Sequence, residues 1–386
     1  MPLRPRLSLT RRSPAEQFVA GNRVTLLRDG AQAFPPMLAA IDTAREQVLL
    51  EMYWFDSDRT GRRFAEALKQ ARARGCEVAV VYDAVGSITA DGNMFQELRD
   101  HGVTVRDWNP VAPWRQRFAA DRLTQRSHRK LLMIDGRIAF TGGFNFADHW
   151  LPDPTSGVAA WREDVVQIEG PVLATLLESF QALWQRAGGP PLQANVRVSN
   201  VAIGPQRVRV MGQALLSQQR EISRAYRRRI KTAKTRVWIT NAYFVPDGGV
   251  VSALKRAAKR GVDVRILVPA VSDVPMARFA SRARWETLLR SGVRLYEWQH
   301  RVLHSKSAVI DGFWSTLGSF NLDYISFNFN LELNVGIEDR EFAATMEHSF
   351  ERDLENSIEV TLSEFRHRPL GEQLLEAILY RMRKVL

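Results

Sequence analysis

A single cysteine, Cys76, in 386 residues leaves no intrachain disulfide and no cysteine-rich zinc site. Such usage fits a reducing compartment. Cys76 follows Gly75 and leads into the apolar run EVAVVYD, where a thiol serves as a small core hydrophobe. No stretch approaches about 18 uncharged apolar residues, so nothing is expected to span a bilayer. The opening residues, MPLRPRLSLTRRSPAEQF, are basic but lack the roughly 7–15-residue apolar run of a signal peptide. No HExxH, Walker A or cysteine-cluster pattern is found. Acidic residues are too few to balance the basic ones: 42 Asp and Glu face 54 Lys and Arg, for a net charge of +12. That surplus implies attraction to a polyanion, either nucleic acid or an anionic membrane surface.

What is present is ordinary in proportion, with 45% apolar and 25% charged residues, and long enough for two compact domains. The first half alternates helical and strand patterns. QVLLEMYWF reads as a buried strand, GRRFAEALKQARARG as a helix with Phe64, Leu68 and Ala71 on one face, and EVAVVYD as the next strand. The second half repeats the order: TRVWITNAYFV answers QVLLEMYWF, and VVSALKRAAKRGVDVRILVP answers FAEALKQARARGCEVAVVYD. The class is α/β, and the duplication is internal rather than a short solenoid period. Gly75 and Gly261 are 186 positions apart and Gly102 and Gly292 are 190 apart, yet His128 and His304 are only 176 apart. The first half therefore carries 14 extra residues ahead of its His. They fall within WNPVAPWRQRFAADRLTQR, read either as a solvated basic loop or as a rim that grips an anionic head group. The expected organisation is a basic extension over 1–21, a first domain over 22–190, a Gly/Pro-rich linker over 191–204, a second domain over 205–360 and a C-terminal amphipathic helix over 361–386.

The chemistry lies in a doubled motif, SHRKLLMIDGRIAFTGGFNF from Ser127 and LHSKSAVIDGFWSTLGSFNL from Leu303. In each a strand is expected to begin at the His. Side chains alternate along a strand, so His128 and Lys130 share a face, as do His304 and Lys306, and each pair can converge on one phosphate. Asp135 and Asp311 sit seven places after their His, on the opposite face and about 23 Å away at ~3.3 Å per residue. Each precedes a Gly in a hairpin-turn dipeptide, so these carboxylates are expected to shape the hairpin, with any catalytic role indirect. Then come small-residue turns, GGFN ending at Asn145 and GSFN ending at Asn321, each Asn 17 residues after its His. Such turns allow close backbone approach, and an Asn amide can donate to a phosphate oxygen. His149 and His300 lack a Lys partner and read as structural or rim residues.

The doubled H-x-K-x4-D pattern resembles the phospholipase D superfamily, over nearly the whole chain from Asn22 to Ile358. The nearest likeness is to bacterial cardiolipin synthases of the type without N-terminal membrane spans. The resemblance implies two similar α/β domains, each a mixed sheet flanked by helices, related by a pseudo-twofold axis around one active site. It implies His128 as nucleophile, forming a phosphohistidine, and His304 as general acid and base. Lys130, Lys306, Asn145 and Asn321 would surround the phosphoryl oxygens, with no metal and no cofactor required. The carboxylates that orient the imidazoles match Glu163 in WREDVVQIEGP and Glu332 in NFNLELNV. The first departs from the family's usual Asp, so either Glu163 reaches further or Asp164 replaces it.

The function this implies is phosphatidyl transfer from phosphatidylglycerol, or another phospholipid, to a second phosphatidylglycerol. The protein is then expected peripherally on the cytoplasmic face of a bacterial cell membrane, its positive charge meeting anionic lipid, with no nucleic-acid partner. The sequence leaves its oligomeric state open. The C-terminal GEQLLEAILYRMRKVL places Leu374, Leu375, Ile378, Leu379 and Met382 on one face, as either an interfacial helix or a helix packed on the domain would. The rivals are a hydrolytic phospholipase D, a nuclease of the same superfamily and a non-catalytic membrane scaffold; intact His and Lys in both halves argue against the last.

Overall fold

The computed structural model describes residues 17–111, 124–153, 155, 157–194, 196–212, 220–299 and 301–382. The first half contains β1 (Val19–Arg28), α1 (Asp29–Asp42), β2 (Gln47–Met52), α2 (Arg59–Ala73), β3 (Glu77–Asp83), α3 (Gly92–Asp100) and β4 (Thr104–Trp108). It continues with β5 (Leu131–Ile134), β6 (Ile138–Gly142), β7 (Asp164–Glu169) and α4 (Leu173–Arg186). The second half runs β8 (Gln206–Gly212), α5 (Glu221–Thr232), β9 (Arg236–Asn241), α6 (Gly248–Lys259), β10 (Asp263–Pro269), α7 (Pro275–Arg282), α8 (Trp285–Leu289) and β11 (Arg294–Trp298). Then come β12 (Lys306–Ile310), β13 (Trp314–Gly318), α9 (Tyr324–Asn328), β14 (Leu333–Glu338) and α10 (Arg340–Leu354). The chain closes with β15 (Ser357–Val360), α11 (Leu362–Arg366) and α12 (Leu370–Arg381).

Strand order makes the duplication visible. One half reads β1-β7-β6-β5-β2-β3-β4, and the other reads β8-β14-β13-β12-β9-β10-β11 with β15 added at its edge. In each half three strands are parallel, β2-β3-β4 and β9-β10-β11, and the rest of the ladder is antiparallel. The parallel strands have both faces covered, which is why QVLLEM is buried at every position. The helices that follow are started by aspartates whose side chains accept an amide of the first turn, Asp58 from Gly61 and Asp247 from Val250. Gly75 and Gly261, with φ of +98° and +86°, end them in the left-handed conformation that a side chain would resist.

Apolar packing forms three large clusters. Helices α1 to α3 cover the outer face of the first sheet, and α5, α6, α8 and α11 cover the outer face of the second. The inner faces meet each other. Leu131, Met133 and Val166 of one sheet share a core with Val309, Leu317 and Val335 of the other, sealed by Phe180 and Trp184 of α4 and Phe350 of α10. Docking is thus apolar and extensive, as in an obligate interface. No helix of the described residues is long and apolar enough to cross a membrane.

Some boundaries differ from the sequence reading. The first strand starts at Val19, inside the stretch read as an extension, because it pairs with both β7 and β8. The C-terminal stretch holds two helices, separated by His367, Arg368 and Pro369. The motif strands start at Leu131 and Lys306, after the His residues, because the backbone at each His bonds to the other half instead of the neighbouring strand. Most of the 14-residue excess, over 112–123, lies outside the described residues, as does His300.

Candidate active site

Two isolated bridges build the site. Ser127 pairs with Leu331, and Leu303 pairs with Arg162. Next to them the His128 amide donates to the Leu331 carbonyl at 2.9 Å, and the His304 amide donates to the Arg162 carbonyl at 2.8 Å. Each motif therefore lies beside the carboxylate of the opposite half. His128 Nδ1 is 3.1 Å from Glu332 Oε2, and His304 Nδ1 is 2.6 Å from Glu163 Oε2. The two orienting carboxylates are crossed, a relation that no spacing within either motif encodes.

At position 163 the longer side chain reaches the imidazole itself. Asp164 is engaged elsewhere, accepting from the Ser305 and Ser307 hydroxyls and pairing with Arg162 at 2.8 Å. Room for Glu163 comes from Gly143, where a Cβ would stand 2.5 Å from the carboxylate. In the other half Ser319 takes that place, and its hydroxyl donates to Glu332. The flanking glycines permit the close approach expected of these turns: a Cβ at Gly142 would lie 2.4 Å from the Asp164 carbonyl, and one at Gly318 would lie 2.2 Å from that of Leu333.

His128 Nδ1 faces two acceptors, Glu332 and the Ser319 carbonyl at 3.0 Å. A nitrogen between two acceptors carries the proton, which leaves the lone pair of the neutral ring on Nε2. Lys130 Nζ donates to the His128 carbonyl at 2.7 Å, and Lys306 Nζ donates to the His304 carbonyl and lies 2.9 Å from His304 Nδ1. Both lysines and both imidazoles are buried. Two tyrosines not foreseen from the sequence frame them. The Tyr53 ring meets His128 edge-on at 4.8 Å beneath Lys130, and Tyr243 stands 6.4 Å from His304. Their signal was present in the repeat, as MYWF in one half and AYFV in the other. Aromatic rings also bank against His304, with Trp150 at 5.4 Å and Trp161 at 5.7 Å; His149 lies between Trp54 and Trp161, tilted to the first and edge-on to the second.

Charges of the two halves act on one another. Burial lowers His128, helped by Lys130 and Lys306 and opposed by Glu332. Burial likewise holds His304 well below its ordinary value, followed by Lys306, Lys130 and His128. Lys130 is held well below the usual ammonium range by burial and by Lys306, and Lys306 is lowered by burial to about 8. Burial pushes Glu163 up to about 8 against the pull of Lys306. Glu332 goes the other way: burial acts upward, but the His128 and Lys130 charges and the donors from His128 and Ser319 hold it below the ordinary range. The site buries two lysines and two imidazoles with one partner carboxylate ionised and one poised near neutrality, an arrangement suited to an anionic phosphodiester and to proton transfer.

The remaining sequence candidates divide. Asp135 and Asp311 are outside this cluster. They occupy left-handed turn positions, with φ of +50° and +55°, and accept the amides of Arg45, Glu46 and Gln47 and of Lys234, Thr235 and Arg236 respectively. Each clamps its hairpin to the start of the neighbouring strand. Asn145 and Asn321 are buried at the ends of the small-residue turns. The Asn145 oxygen accepts the Trp54 amide at 3.1 Å, which leaves its NH2 as the free end, and Asn321 Oδ1 has no partner among the described residues.

Comparison with known proteins gives the family. The family described as "Cardiolipin synthase, PLD-like domain" matches residues 37–184 and 226–354. The chain belongs to that family. It is 36% identical over 365 residues to cardiolipin synthase A of Pseudomonas putida, covering 92% of this chain and 73% of that protein. A probable cardiolipin synthase of Bacillus subtilis is 30% identical over 361 residues, covering 92% and 71%. Among solved structures, the phosphatidylserine synthase of Haemophilus influenzae superposes over 96% of this chain and 97% of its own with a TM-score of 0.72 at 13% identity, a likeness of fold. With such relatives the chain is an enzyme of the phosphatidyltransferase type, built as two repeated phospholipase D-like α/β domains.

Proposed function

We propose that this family member joins two phosphatidylglycerol molecules at an anionic membrane surface, through a phosphohistidine on His128. His128 Nε2 attacks the phosphorus of the first lipid, and the bond from phosphorus to the head-group oxygen breaks. His304 gives its Nε2 proton to that oxygen while Glu163 supplies one at Nδ1, and glycerol leaves. The free hydroxyl of the second phosphatidylglycerol then gives its proton to His304 and attacks phosphorus. The phosphorus–nitrogen bond breaks, and cardiolipin departs. Lys130, Lys306, Asn145 and Asn321 hold the phosphoryl oxygens as charge builds on them. Glu332 fixes the tautomer of His128, and Glu163 shares a proton with His304. Asp135 and Asp311 act only by holding the hairpins. A net charge of +12 draws the protein to the anionic cytoplasmic face of the bacterial membrane, where it binds peripherally.

One observation carries this reading: each imidazole is gripped by the carboxylate of the opposite half, 3.1 Å and 2.6 Å away, so both serve one cluster. Incubating the purified protein with phosphatidylglycerol should yield cardiolipin and glycerol. Phosphatidic acid as the main product would instead make water the acceptor. His128→Ala and His304→Ala should each lower turnover by at least ~10³-fold, and trapped radiolabelled phosphatidyl group should be lost with the first. Undiminished turnover in His128→Ala would remove the nucleophile assignment.

A further inference from the structure

Helix α12 settles part of what the C-terminal pattern left open: one face packs on the domain and the other is bare. Leu379 is buried against Ala280 and Val245, with Phe279 and Tyr380 beside them. Leu379 therefore leaves the apolar group in which the sequence placed it. The opposite face shows Leu370, Leu374 and Ile378 at 81%, 64% and 46% exposure, with Leu375, Met382 and, from α7, Met276 also exposed. A stripe of this kind along three turns has no counterpart elsewhere among the exposed large apolar residues described.

Two observations identify what covers it. The first is charge. Glu376, the acidic residue in the middle of α12, is turned inward and bonded to Arg282 and Arg368, and Glu372 pairs with Arg282. Arg381 stands exposed at the end of the stripe, and the sequence continues with Arg383 and Lys384. Acidic charge is neutralised within the fold while basic charge gathers at one end, the pattern of a helix that lies in an anionic lipid interface. A protein partner would not require that sorting. The second is position. The Tyr243 hydroxyl donates to Asp273 at 2.6 Å, two residues before α7 begins, and the Tyr243 ring faces His304. Val245, two residues after Tyr243, is the residue buried under α12. The packed face of α12 is therefore tied to the site through Val245 and Tyr243, and its bare face looks outward from the same side of the second half.

We infer that α12 and the start of α7 form the docking surface for an anionic bilayer, seating the mouth of the site on the layer that holds its substrates. This rests on the lipid-transfer reading for its purpose, but not for its test. The full chain is floated with vesicles of phosphatidylglycerol and phosphatidylcholine, and with phosphatidylcholine alone. The parent should float with the first and far less with the second. Leu374→Glu/Ile378→Glu should lower the partition coefficient at least about tenfold. Its melting temperature should match the parent's, because both side chains face solvent. His128→Ala, inactive on the proposed mechanism, should float like the parent, so a failure of the chemistry leaves this measurement intact. Undiminished flotation of the double variant would overturn the inference. So would a lipid-free dimer of the parent that the double variant breaks, since a second copy would then cover the stripe.

Discussion

Where the first half has Arg162, Glu163 and Asp164, the second has Leu331, Glu332 and Leu333. The backbone does the same work in both, since residues 162 and 331 each bridge to the motif of the opposite half. The flanks differ completely. Arg162 is fully buried and paired with Asp164 and Asp353, while Asp353 also holds Arg28. Burial acts against its charge, but the surrounding aspartates hold its pKa well above the ordinary value. Leu331 and Leu333 instead join the apolar core between the sheets. The central residues of the motifs follow suit. Ser305 serves Asp164, whereas Arg129 turns away to a buried pair with Glu51 at 2.8 Å. What the two halves hold in common is a glutamate at one backbone position; its neighbours are ionic or apolar so long as they satisfy one another. The choice has an electrostatic consequence. Beside Glu163 the Asp164 charge adds to the effect of burial, whereas Glu332 receives hydroxyl donors from Ser319 and Ser326 and stays ionised.

Stability gives the largest test of that contrast. Arg162→Leu should cost about 3–5 kcal/mol, because it leaves Asp164 and Asp353 buried without their cation. Adding Asp164→Leu, which copies the second half, should recover at least ~1 kcal/mol in urea unfolding. A double variant no more stable than the single one would mean that the flanks are not interchangeable. Next in size, Glu332→Gln should lower kcat by about 10²–10³-fold, since an amide cannot replace an ionised acceptor for His128. Glu163→Gln should lose only ~10-fold below pH 8, where the native side chain is already largely protonated. Equal losses would erase the distinction. The pH profile is the third test. Lys306 titrates near 8 and is charged below that, so kcat/KM should fall as pH rises through 8, with Glu163 ionising in the same window. An alkaline limb only above 10 would place both lysines outside the reacting cluster. The smallest effect is ligand stabilisation. Inorganic phosphate at ten times its Kd should raise Tm by about 1–3 °C by bringing negative charge between Lys130 and Lys306, and Lys130→Ala should abolish the rise.

Much of the fold was legible because the sequence states it twice. Alternating apolar periods gave the α/β class, and the repeated His, Lys and small-residue turns marked the residues that the structure gathers. The Asp-Gly dipeptides marked the hairpins, and the even spacing of His and Lys placed them on one side of their segments. The rest depended on how the halves face each other. Glu332 serves His128 over a separation of 204 residues and Glu163 serves His304 over 141, and only docking brings these pairs together. The same holds for Arg162 with Asp353, which joins the first half to α10. The division of α12 was hidden for a related reason: helical period shows which side chains share a face, but not which of them a neighbouring helix will cover.

Crossed carboxylates mean that neither half can finish its own imidazole. A ribosome that has released the first domain has delivered His128 without Glu332, and a detached second domain would hold His304 without Glu163. Assembly is thus a completion step for the site: His128 gains its carboxylate only when the strands around Glu332 have been made and docked. The duplicated halves thus differ at the flanks of their glutamates yet depend on each other at two positions.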